Sequence, residues 1–83
     1  MDTVNLPNAD RIRLLTELGN CHTAASLIQW LNCQAKILAP GNERVASRWR
    51  ARASALAKKR AVSRVMLNWG IFMTAEEVGK TED

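Results

Sequence analysis

Acidic residues are missing from the middle of this 83-residue chain. None occurs between Glu43 and Glu76, yet Arg44, Arg48, Arg50, Arg52, Lys58, Lys59, Arg60 and Arg64, eight of its 12 lysines and arginines, lie in that interval. A helix without counter-charge repels itself unless an anion or a partner surface offsets the charge. Aromatic residues are also scarce, with no tyrosine, one phenylalanine and three tryptophans. Alanine and leucine must therefore supply most of the core, which favours closely packed helices over a sheet.

Other absences narrow the function. The two cysteines, Cys21 and Cys33, have no CxxC spacing and only His22 as a companion ligand, so no metal site is expected. On one helix they would stand about 18 Å apart, too far to bridge. They read as reduced thiols of a cytoplasmic protein. No basic-then-apolar leader opens the chain, and no run approaches the ~20 apolar residues of a membrane span. A glycine-rich phosphate loop, a G-x-S-x-G turn and a spaced carboxylate pair on an apolar face are all missing. Cys21 and His22 are sequence neighbours whose side chains would point about 100° apart on a helix, with no third group to orient a base. A non-enzymatic protein without cofactor is expected.

The length fits one domain spanning residues 1–83, with 1–7 a flexible arm anchored only by Val4 and Leu6 and 79–83 a frayed tail. So small a domain buries only about 60% of its unfolded surface, which favours oligomerisation, and a homodimer is expected. The fold class is all-α: three main helices, the third long, and a short C-terminal helix. The first is expected over 8–18, capped by Asn8 and stopped by a left-handed Gly19, with Ile12, Leu15 and Leu18 inward. The second runs over 22–38, with Ala24, Leu27, Ile28, Leu31, Ala35 and Leu38 on one face and Trp30, Cys33 and Ile37 on nearly the opposite one.

The third helix starts after Asn42 and meets no glycine or proline until Gly70. Val45, Trp49, Ala53 and Leu56 share one stripe, while Val62, Val65, Met66 and Trp69 share another turned by roughly 150°. One straight helix cannot press both stripes against one core. The switch falls at 58–61, so the helix bends or breaks there, or its second half meets a second copy, and the latter is preferred. Thr74 with Ala75, Glu76 and Glu77 reads as the cap and first turn of the short last helix.

Arg44, Arg48, Arg52 and Lys59 form a row within about 80° beside the Val45/Trp49 stripe. Arginine suits phosphate because its planar fork donates paired hydrogen bonds and stays charged. With Arg50, this row is the candidate nucleic-acid site. Two helix-turn-helix registers can be drawn: one around Gly19, and a preferred one around Ala39-Pro40-Gly41 that places Ser47, Arg48, Arg50 and Arg52 on the recognition helix. Trp49 and Trp69 read as core or interface residues rather than base-stacking platforms. Trp30 and Ile37, with Val62, Val65, Met66, Trp69 and Phe72, are the candidate partner or dimer contacts. The leading expectation is a dimeric transcriptional regulator that binds double-stranded DNA. The alternative is a helical adaptor or inhibitor, of the accessory kind phages and plasmids carry, that binds an acidic protein surface.

Overall fold

The computed structural model describes residues 2–80 and builds four α-helices, with no strand among the described residues. They are α1 (Asn8–Gly19), α2 (Ala24–Leu38), α3 (Glu43–Ala57) and α4 (Arg64–Val78). The expected long third helix with a short appendix is instead two helices of 15 residues each. The break falls at 58–63, where the apolar phase changes. Ser63 starts the new helix, its Oγ accepting the Met66 N–H at 3.2 Å. Thr74, expected as a cap, lies buried inside α4, and its hydroxyl donates to the Gly70 carbonyl at 2.7 Å.

The ends of the first two helices are set locally. Pro7 precedes α1, and its carbonyl accepts from the N–H groups of Asp10 and Arg11. Gly19 is the last helical residue and does not adopt positive φ; among the described residues only Gly41 and Gly79 do. The first helix turns Leu14 and Leu18 inward and leaves Ile12 half exposed, while Arg11 reaches the Val4 and Val78 carbonyls. Thr23 caps α2 through a reciprocal pair: Ser26 N–H to Thr23 Oγ1 at 3.1 Å and Thr23 N–H to Ser26 Oγ at 3.2 Å. A cap of this kind contributes about 1 kcal/mol.

Helices α2 and α3 form an antiparallel hairpin through the turn at 39–42, and theirs is the most extensive helix pairing of the fold. Small side chains permit it: Ala35, Ala46 and Ala53 are fully buried between them. Mid-hairpin, the rings of Trp30 and Trp49 lie 5.3 Å apart, tilted by 34°. At the far end Leu27 and Leu56 converge on Gly70 of α4, where a Cβ would sit only 3.3 Å from Leu27 Cδ2. Gly70 thus lets α4 approach both helices closely.

Residues 2–7 run as a strap over the seam of α1, α3 and α4. Val4 is 1% exposed. Its N–H donates to the Glu77 carbonyl at 2.9 Å, and its own carbonyl accepts from Arg11 Nη2 at 2.8 Å. Arg11 Nε reaches the Val78 carbonyl at 3.1 Å. Asn42 gives its side chain to the strap, accepting the Asn5 N–H at 2.7 Å, and makes no cap bond to α3. Of the tail expected to fray, Gly79 closes α4 by donating to the Ala75 carbonyl, and residues 81–83 lie outside the described residues. Among the described residues no helix is long and apolar enough to cross a membrane.

Candidate nucleic-acid interface

Helix α3 has a buried side and a solvent side, and the arginines divide between them. Val45, Trp49, Ala53 and Leu56, the stripe expected from the spacing, face the core, and Ala46 joins them. Arg52 lies at its edge and is drawn inward. Both of its terminal nitrogens donate to the Glu77 carboxylate, Nη1 to Oε1 and Nη2 to Oε2 at 3.2 Å, and Nη1 also donates to Thr74 Oγ1 at 2.9 Å. Trp49 Nε1 donates to the same Oε1 at 3.1 Å. The Arg52 and Glu77 side chains are 12% and 3% exposed. Arg52, expected on phosphate, is a structural residue instead, because a guanidinium this enclosed has no face left for an outside anion.

The next cations of the row meet the strap. Arg48 Nη2 lies 3.2 Å from Asp2 Oδ2, and Arg44 Nη1 lies 3.9 Å from the same oxygen. These are surface pairs, worth about 0 to 1 kcal/mol, and Arg44 remains 86% exposed. The acid-free stretch is therefore acid-free in sequence only, since Asp2 and Glu77 return to it in space.

The solvent side of α3 keeps its charge. Ser47, Ala51, Ser54, Ala55 and Lys58 recur at helical spacing, and all are exposed. Arg44 opens this band at the helix start, and Arg48 flanks it on one side and Arg50 on the other. Arg50, Lys58, Lys59, Arg60 and Arg64 are exposed and no described acidic residue pairs with any of them. Of the five candidate phosphate ligands, Arg50 and Lys59 stand free, Arg44 and Arg48 are lightly paired, and Arg52 is withdrawn. Lys58, Arg60 and Arg64 belong to the acid-free interval but not to the row beside the core stripe. The helix break that groups them at one corner supplies the missing signal.

Of the two helix-turn-helix registers, the one around Gly19 joins helices that make little contact with each other, and the one around Ala39-Pro40-Gly41 joins the most extensively packed pair, α2 and α3. The candidate partner contacts also separate. Trp30 is half buried, stacked on Trp49 and donating Nε1 to Glu17 Oε1 at 3.1 Å. Val62 and Met66 are half buried, while Ile37, Val65, Trp69 and Phe72 are exposed.

Both thiols are free. Cys21 is buried, and its Sγ donates to the Glu17 carbonyl at 3.6 Å. Burial pushes its pKa above the ordinary thiol value, helped by the Glu17 charge and opposed by the Ser26 hydroxyl. Glu43 is held below the usual carboxylate range by its own N–H and that of Gly41. His22 is exposed, and among the described residues no three His, Cys, Asp or Glu side chains converge as a metal site requires. The chain matches no protein-family model, no curated protein and no solved structure.

Proposed function

We propose that the protein is a non-enzymatic binder of double-stranded DNA, acting as a transcriptional regulator. The surface it uses is the outer face of α3 and the corner that follows it. One observation carries this reading: α3 presents a solvent face of serine and alanine with Arg44 at its start and Lys58 just past its end, flanked by Arg48 and Lys59 on one side and Arg50 on the other, with no acid between Arg44 and the end of the helix. Short side chains let a helix sit deep against a groove about 12 Å wide, while flanking arginines reach the phosphates on either side. Arg60 and Arg64 extend the cationic track past the helix end. The serine hydroxyls of Ser47 and Ser54 can donate to or accept from base edges.

The test is a titration against mixed-sequence duplex at about 50 and 200 mM salt. Five neutralised phosphates give a fall in affinity of between two and three decades over that range, ~0.9 released counterions each. Absence of binding at the lower salt sinks this reading and promotes the adaptor or inhibitor that docks on an acidic protein surface.

A further inference from the structure

Helix α4 is apolar on two sides, and the fold uses only one of them. Its core side carries Leu67, Gly70, Thr74, Glu77 and Val78, two of which are polar. Its opposite side, about 160° away by helical projection, carries Val65, Trp69 and Phe72, which are 77%, 57% and 60% exposed. Close approach through Gly70 and the Arg52–Glu77 pair together explain why the more polar side faces in. What remains outside is a contiguous stripe with two of the chain's four aromatic rings, where a single-chain surface ordinarily scatters its exposed apolar residues.

We infer that this stripe is the contact between two copies of the chain, packed with their α4 helices antiparallel about a two-fold axis at Trp69. The charge along α4 argues for a second copy in that orientation. In sequence the stripe follows Lys59, Arg60 and Arg64, all exposed, and it ends at Glu76, which is exposed and on the same helical side. Antiparallel pairing sets Val65 against Phe72 and brings each Glu76 to the basic end of the other helix, whereas parallel pairing sets like charges together. Each of the three apolar side chains offers on the order of 100 Å², so the stripe supplies less than half of the ~800 Å² a standard interface takes from each partner. The dimer is accordingly a reversible one, formed in the micromolar range. It leaves the solvent face of α3 itself open and draws on the cationic corner after that helix only through Lys59 and Arg60.

Sedimentation equilibrium of the full chain at roughly 5 to 200 µM, without nucleic acid, tests this. The expected result is a concentration-dependent rise toward twice 9.3 kDa. Trp69→Asp weakens self-association by about a hundredfold or more, because the axis counts each substitution twice. Val65→Asp, at the most exposed position of the stripe, does the same, and circular dichroism of both variants checks that the helices persist. Glu76→Lys weakens the dimer about tenfold by placing lysine against Lys59 and Arg60, and Lys59→Glu with Arg60→Glu restores it in the same chain. A monomer throughout the range, a dimer indifferent to both aspartates, or a dimer indifferent to Glu76→Lys overturns the inference. Mass is read without DNA, so this outcome and the outcome of the duplex titration are separate.

Discussion

The Arg52 guanidinium and the Glu77 carboxylate, 25 positions apart in the chain, form a two-armed ion pair inside the protein. Trp49 and Thr74 complete the shell around it. A charge-reversed Arg52 would place two carboxylates in one enclosed site, so the effect is on folding and not on binding.

Removing one partner of this pair leaves the other charge buried alone. Arg52→Ala should cost about 3–5 kcal/mol. At about 4–8 °C per kcal/mol for a domain of this size, the midpoint falls by well over 10 °C in a thermal melt. The double variant Arg52→Ala/Glu77→Gln should recover part of the loss, since it keeps an acceptor for Trp49 and removes the lone charge. A double variant less stable than Arg52→Ala would refute the account.

Charge reversal on the solvent side should behave in the opposite way. Arg50→Glu with Lys58→Glu touches no buried group, so the thermal midpoint should move by no more than the equivalent of about 0.5 kcal/mol. Duplex affinity at low salt should fall by at least tenfold, and the slope of log affinity against log salt should shrink by about two phosphates' worth. An unchanged slope would remove these two residues from the interface.

The two cysteines should differ in reactivity. Cys33 is exposed, whereas Cys21 is buried with a raised pKa. Iodoacetamide at neutral pH should therefore label Cys33 first, with mass spectrometry of the digest reading the site. For Cys21 the folded state favours the neutral thiol. Its contribution is fully present below the unfolded-state value of about 8.5 and is lost as pH rises through the higher folded value. Cys21→Ala should flatten that alkaline limb of the stability curve, measured by urea titration between about pH 8 and 10.

Gly70 tests the close approach of α4. Alanine there gains about 1 kcal/mol of helix propensity but puts a methyl 3.3 Å from Leu27 Cδ2, so the change should be small. Gly70→Leu has no such room and should cost at least about 2 kcal/mol in a urea melt. A stable leucine variant would show that α4 packs more loosely.

Local periodicity carried much of the fold. The Val45/Trp49/Ala53/Leu56 stripe, most of the inner face of α2 and the phase change after Leu56 are all readable because neighbours three and four apart share a helix side whatever the rest of the chain does. The break itself was legible as a conflict of phase, but its cap, Ser63, is set by the hydrogen bond to Met66 N–H that the new helix makes. Gly19 misled because a glycine after a helical pattern resembles a left-handed stop, while here the turn is made by Asn20.

Pairings across the chain were not legible from spacing. Nothing near Arg48 or Arg52 indicates that Asp2 and Glu77 come to lie beside them, and a charge inventory along the chain treats all eight central cations alike. Nor does α4 announce which of its two apolar sides turns inward. Leu27 and Leu56 on the hairpin settle that by meeting at Gly70, where the missing Cβ allows contact, and the buried Arg52–Glu77 pair holds α4 in that rotation. Helix content follows from interactions within a few residues, which the order of side chains encodes directly. The choice of free arginines and of the exposed stripe follows from contacts made only after the helices pack.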